Sequence, residues 1–342
     1  MRRGWDGRAA VASAPRRIPA LLAALVLALP LLLPGRAAAL APPHLGVTGA
    51  ILVSPGTQQQ LYGVNPTRRL AIASTTKLMT ALLTLEHAKL STTFVAPDYY
   101  SAAGDSQIGL VPGERMSVHD LLLALLLPSA DDAAEDLAYN IGHHSVDRFI
   151  SMMNKRAQQL GLEHTHYSTP IGLDTAGNYS SAADLVKLAH YVQSTQPFFA
   201  RAVAQRRAVL RTGSHVRVVA NRNDLVGKYP WINGVKTGHT NEAGYVLVAS
   251  ARRDGMTLLS AVLGTDSEAS RDANTLALLD YGYANFAVRT PIRAGMVLAR
   301  PKVKEQPGRH GVVIAARTLT RVIARADRIR IRLRMPRELI GP

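Results

Sequence analysis

The sequence predicts an α/β (α+β) fold: a sheet flanked by helices, interrupted by a helical insertion and followed by a short β-rich C-terminal segment. Three observations lead there. Short apolar runs of strand-like composition stand near the start of the body, at residues 47–53 and 60–64, and return near its end, at 245–251 and 257–263. Between them lie segments with apolar residues at helical spacing, at 118–127, 133–141, 146–160 and 182–192. A further helical pattern over 267–284 closes this part of the chain. Strands at both ends with helices between them describe a sheet whose early and late strands pair across the insertion.

Taken in order, the chain opens with Arg2, Arg3, Arg16 and Arg17, an apolar stretch over 18–33 and then Ala37-Ala38-Ala39-Leu40-Ala41. That is the layout of a secretory signal peptide, with cleavage expected after Ala39 or Ala41. Pro30 and Pro34 make the stretch a poor permanent membrane helix, and Ile18-Pro19-Ala20 gives little support to a twin-arginine reading of Arg16-Arg17. The expected organisation is a signal peptide at 1–41, a main domain at 42–286 and a basic β-rich segment at 287–342. Within the main domain, Ser54-Pro55-Gly56 turns the first two strands into a hairpin, and residues 65–69 lead into the helix that carries Ser74. Pro128 and Gly161-Leu162 break the helical insertion. Residues 216–219 read as a strand, and Arg252-Arg253-Asp254-Gly255 as the turn between the last two strands. In the tail, 312–315 reads as a strand, and the alternation of arginine with apolar residues over 328–335 has period two, the pattern of a half-buried strand.

The chain of 342 residues contains no cysteine, so an exported product must hold itself together by its core alone. Its net charge of +16 is concentrated at the ends. Residues 1–40 carry six basic against one acidic side chain, and 286–342 carry fourteen against three. The body between is balanced, which argues against a nucleic-acid-binding surface.

Chemistry concentrates at Ser74-Thr75-Thr76-Lys77. A hydroxyl and an amine three residues apart share one helix face, and the apolar run over 78–85 gives the opposite face a core to bury against. A serine near a helix N-terminus with a lysine one turn on can serve as a base-activated nucleophile. Ser129-Ala130-Asp131 follows, just after Pro128, and Lys236-Thr237-Gly238 precedes the strand at 245. His143-His144 and His164-x-His166 have no third ligand at metalloprotease spacing, so we expect neither a metal nor another cofactor. Trp231 reads as packing near the site.

In order and spacing the three elements resemble those of β-lactamases and penicillin-binding proteins. The segments 72–80, 127–134 and 234–240, with Gly172-Leu173-Asp174 and Tyr179 to Leu185, resemble the low-molecular-mass penicillin-binding proteins, the D-alanyl-D-alanine carboxypeptidase (S11 peptidase) family. The resemblance implies a β-lactamase/transpeptidase-like domain that removes the terminal D-alanine from peptidoglycan stem pentapeptides and is acylated by β-lactams. It further implies Ser74 as nucleophile, Lys77 as its base, and Ser129 as a proton relay between Lys77 and Lys236. Lys236 and Thr237 would hold the substrate carboxylate, Gly238 would let the substrate backbone approach, and the backbone N–H groups of Ser74 and His239 would form the oxyanion hole. The location implied is outside the cytoplasm.

Asp131 departs from the family pattern, which has asparagine there. A carboxylate only accepts hydrogen bonds, and its charge would hold Lys77 protonated. Two readings remain beside the carboxypeptidase: an endopeptidase acting on peptide cross-links, and a catalytically weakened wall-binding or scaffolding protein. A class A β-lactamase needs a deacylating glutamate; with Glu135 set aside, Glu163 is the candidate, and the expected pattern around it is missing. Arg328, Arg330, Arg332 and Arg334 suggest contact with an anionic membrane or wall polymer.

Overall fold

The structure, a computed structural model, describes residues 41–57, 59–99, 105–304, 308–334 and 338–339. The signal peptide expected at 1–41 lies outside them except for Ala41. Among the described residues no helix is long and apolar enough to cross a membrane.

The predicted hairpin is β1 (Gly49–Ser54) and β2 (Gln59–Val64), joined through a short 3-10 turn at Pro55–Thr57. A second 3-10 turn, Ala73–Thr76, feeds α1 (Lys77–His87). The small ladder β3 (Thr93–Val95) with β4 (Arg115–Ser117) then delivers the chain to α2 (Val118–Leu126). Ser117 caps α2, its Oγ accepting from the N–H of Asp120 at 3.2 Å. The insertion continues with α3 (Asp131–Ile141), α4 (Val146–Gln159), α5 (Ala182–Thr195) and α6 (Pro197–Val203). Ser145 and Ser181 cap α4 and α5 in the same way. A separate hairpin, β5 (Arg207–Leu210) and β6 (Arg217–Ala220), precedes the three long strands β7 (Ile232–Thr240), β8 (Gly244–Arg253) and β9 (Met256–Thr265).

The main sheet has the order β2-β1-β9-β8-β7, antiparallel throughout, so early and late strands do pair, at β1 and β9. Its faces bury two cores. Leu259, Ala261 and Leu263 of β9 point to the helical insertion, where they join Leu82, Leu125 and Leu137. Leu258 and Val262 point the other way, toward Leu278, Leu279 and Tyr283 of α7 (Glu268–Asn285). This alternation is the two-residue period of a strand covered on both faces. It leaves β7 as an open edge facing the insertion.

After α7 come β10 (Phe286–Ile292), β11 (Val297–Ala299), β12 (Lys302–Val303), β13 (Val313–Ile314), β14 (Leu319–Ala324) and β15 (Glu338–Leu339), paired as β10-β14, β11-β13 and β12-β15. The strand expected at 312–315 is β13. The half-buried strand expected at 328–335 is not found: residues 328–334 carry no ladder pairing, and Ile329, Ile331 and Leu333 are 45%, 47% and 40% exposed. Alternation alone does not make a strand where no neighbour supplies backbone partners and an apolar face.

Candidate active site

Ser74 sits on the 3-10 turn Ala73–Thr76, three residues before α1 begins at Lys77. Ala73 takes a positive φ of 47°, and the Thr75 side chain clamps the turn by donating to the Ile72 carbonyl at 2.6 Å. Close glycines complete the clamp. A Cβ on Gly238 would lie 2.9 Å from the Ala73 Cβ and 3.0 Å from the Ser74 nitrogen, and one on Gly172, at φ +92°, would overlap the Ala73 carbonyl. Gly238 thus serves to seat β7 against the nucleophile's own turn, a closer constraint than the substrate approach expected from sequence.

Lys77, fully buried, donates to Ser74 Oγ at 2.8 Å, to Asp131 Oδ1 at 2.5 Å and to the Ile171 carbonyl at 2.7 Å. Three acceptors match the three protons of an ammonium. Burial pushes the Lys77 amine below its ordinary value, and the Asp131 carboxylate opposes that depression.

Asp131 opens α3 and is tied to the segment across from it. Its N–H donates to the Ser106 carbonyl at 2.6 Å, and its Oδ2 accepts from the Ser106 N–H at 3.0 Å. Asp132 extends this bridge, its Oδ2 accepting from the N–H groups of Ile108, Gly109 and Leu110 at 3.1, 2.9 and 3.0 Å. The two carboxylates at a helix N-terminus complement the helix dipole and pin one wall of the cleft. Ser129, at φ +68° and 2% exposed, keeps a hydroxyl with no hydrogen-bond partner. Lys236 on β7 is 1% exposed and donates to the Thr237 carbonyl at 3.0 Å. Its amine is driven well below the ordinary value, first by burial and then by the positive charges of Lys77 and Arg222.

These groups meet at a cleft of 870 Å³ between edge strand β7, the 106–108 segment and β6. Ser74, Thr237, Gly238 and His239 line it directly. Lys77, Asp131 and Lys236 stand buried behind them, linked through Ser74 and Thr237. The exposed ring of His239 stacks against Tyr245, with centroids 4.0 Å apart.

Sequence reasoning singled out none of the three arginines of the cleft, Arg217, Arg222 and Arg271, and Arg217 is taken up by its ion pair with Glu114 at 2.8 Å. Arg271 is 2% exposed on α7 and pairs with Glu268 and Asp272, both at 2.8 Å. One signal was available: Arg271 stands at i, with buried Thr275, Leu278 and Leu279 at i+4, i+7 and i+8, so it occupies the helix's inward stripe. Trp231 packs edge-on against Tyr229 and Tyr283 in the core on the α7 side and does not line the cleft. Glu163 is exposed and away from the cleft lining. Among the described residues no three His, Cys, Asp or Glu side chains gather as a metal site.

A family model described as D-alanyl-D-alanine carboxypeptidase, Peptidase_S11, matches residues 36–267. The D-alanyl-D-alanine carboxypeptidase DacF of Bacillus subtilis is 33% identical over 262 residues, which cover 75% of this chain and 67% of that protein. The D-alanyl-D-alanine carboxypeptidase of Streptomyces sp. K15 is 35% identical over 267 residues, covering 72% and 91%. Among solved structures, the Streptomyces K15 DD-transpeptidase superposes with a TM-score of 0.68 at 32% identity, over 72% of this chain and 100% of that one.

Proposed function

The chain belongs to the S11 family of D-alanyl-D-alanine carboxypeptidases, and from that premise we propose how its residues carry out the reaction. It is a serine peptidase of the cell wall that acts on peptidoglycan peptides and reacts with β-lactams. The observation that carries the assignment of residues is the 2.8 Å hydrogen bond between Lys77 Nζ and Ser74 Oγ at the floor of an open cleft.

In the proposed sequence, Lys77 first loses a proton to solvent through the cleft, then accepts one from Ser74 as the oxygen attacks the carbonyl between the two terminal D-alanines. Backbone N–H groups of Ser74 and His239 receive the oxyanion, each such donor being typically worth ~3 kcal/mol of barrier. Ser129, whose hydroxyl has no other partner, passes the proton to the departing amine between Lys77 and Lys236. The C–N bond breaks, D-alanine leaves, and water then hydrolyses the ester on Ser74. Arg222 and the Thr237 hydroxyl line the cleft and supply the charge and the hydrogen bond that a terminal carboxylate requires, with Lys236 buried behind them.

Intact mass after incubation with penicillin, followed by peptide mapping, tests this assignment. The expected result is one covalent increment on Ser74, absent in Ser74→Ala, with D-alanine release from a pentapeptide lost in the same variant by at least ~10³-fold. An increment on another residue would refute it. The N-terminal 41 residues support export, which N-terminal sequencing of the mature protein checks. The exposed arginines 328, 330, 332 and 334 support contact with an anionic surface, to be lost at high salt.

A further inference from the structure

A pocket of 190 Å³ shares no residue with the active-site cleft and lies where β8, the end of α7 and β10 meet. Arg253, Arg289 and Arg325 line it, over a floor that includes Met256, Tyr283 and Ala287. We propose that this pocket binds a phosphate ester.

Each arginine arrives from a different element and two are held in place. The Arg253 guanidinium lies over the Tyr283 ring, 6.0 Å from its centroid, an orientation that favours presenting N–H groups sideways. Arg325 is fixed by two donations to the Tyr283 carbonyl, from Nε at 3.3 Å and Nη2 at 3.1 Å, while its backbone N–H donates to the Asn285 carbonyl at 2.7 Å. Those bonds engage Nε and Nη2 and leave Nη1 outside them. Asp254 also lines the pocket, 3.6 Å from Arg253, so three guanidinium groups face one carboxylate.

An independent observation comes from the ladder beneath. Arg289 and Arg321 are direct partners in the β10–β14 pairing. Like charges set opposite each other in an antiparallel pair are destabilising, and an anion held beside them removes the conflict. Planar guanidinium forks recognise oxyanions bidentately, and several forks converging from separate elements suit the four oxygens of a phosphate better than the two of a carboxylate. The volume fits such a group and is far smaller than the peptide cleft. From Arg325 the chain runs on into exposed Arg328, Arg330, Arg332 and Arg334, so a phosphate in the pocket can belong to a repeating polyanion or to a lipid headgroup. The pocket is proposed independently of the contact read for that segment, and of the chemistry at Ser74.

The test uses the full-length protein with three probes: glycerol 1-phosphate, an oligomeric glycerol phosphate, and vesicles of phosphatidylglycerol in phosphatidylcholine. Binding is measured by titration, with acetate as the control anion. Expected is binding that the double variant Arg253→Gln/Arg289→Gln weakens at least tenfold, and that Arg328→Gln/Arg330→Gln/Arg332→Gln/Arg334→Gln weakens much less. Capture of the soluble oligomer identifies a wall-type phosphodiester as the source, and capture of vesicles alone identifies a lipid headgroup; either supports the pocket. Arg289→Gln alone, at an exposed position, serves if the double variant misfolds, and phosphate should raise the melting temperature of wild type more than that of Arg289→Gln. No binding to any probe, equal binding of acetate, or loss confined to the 328–334 variant overturns the proposal.

Discussion

Replacing Asp131 by asparagine should move the acid limb of the pH–rate profile downward. The substitution preserves shape and removes one negative charge 2.5 Å from the Lys77 nitrogen. With Asp131 ionised, Lys77 has three acceptors and holds its third proton, and the first step of catalysis is to lose it. An opposite charge at this range favours the ammonium, so its removal lowers the Lys77 pKa further. Burial and the Arg222 charge, already acting in that direction, are then opposed only by the weaker pull of Asp105. At any pH below the wild-type limb the fraction of neutral amine rises about tenfold for each unit by which the limb moves, and kcat/KM there rises with it. The side-chain amide can accept from the Ser106 N–H, as Asp131 Oδ2 does at 3.0 Å, and donate to the lone pair of a neutral Lys77. The assay is D-alanine release from a pentapeptide between pH 5 and 10, paired with the second-order rate of penicillin acylation. A limb that stays in place or moves upward would refute the electrostatic reasoning. An outright loss at every pH would assign the carboxylate a chemical role of its own.

Gly238→Ala should lower kcat/KM by ~10²-fold with little loss of fold, because the new methyl presses on Ala73 and Ser74 and shifts the nucleophile; wild-type acylation rates would dismiss this. Asp136 is fully buried and its Oδ2 lacks a partner, so burial raises its pKa to about 7. A folded pKa above the unfolded value means stability is fully present below about pH 4 and is lost as pH rises through 7. Asp136→Asn should accordingly stabilise by roughly 2–4 kcal/mol at pH 8 and by almost nothing at pH 4, read from urea midpoints. Glu114 shows the opposite sign: burial would raise its pKa, but hydrogen bonds from Arg217, Ser214 and Val111 outweigh it and hold the value at about 2. Its contribution is present above about pH 4.3 and is lost as pH falls toward 2. Glu114→Gln, which leaves Arg217 buried without its partner charge, should cost about 3–5 kcal/mol at neutral pH, and that gap should narrow by pH 2–3. A gap independent of pH would contradict the linkage.

Much of the site was legible because its chemistry is carried by residue types at short spacing. Ser74 and Lys77 are three apart, and a turn of helix brings them within hydrogen-bonding reach wherever the rest of the fold goes. Elements with long, regular periodicity, such as α4, α5 and β9, were legible for the same local reason. The unlegible parts depend on distant contacts. The 3-10 geometry at Ser74 follows from β7 and the Gly172 loop pressing on Ala73, neither of which is near in sequence. Strand β7 itself, with Gly234 and Gly238 inside it, has weak strand composition and is defined by β8. Short α6 and the β3–β4 ladder carry too few residues for a period to register. The tail failed in the other direction, since the alternation over 328–335 was real but, among the described residues, 328–334 meet no partner strand.

The pairing of β1 with β9 has a consequence for how the molecule comes into being. Ala50 meets Val262, so the central ladder joins segments roughly 200 residues apart, and such long-range closure is slow because loop entropy is lost before the contacts form. The N-terminal hairpin emerges first and waits, with one edge bare, until nearly the whole catalytic region has been synthesised. During that interval the bare edge of β1 is open to pairing with the wrong strand and to cleavage by a protease, until β9 arrives to close it.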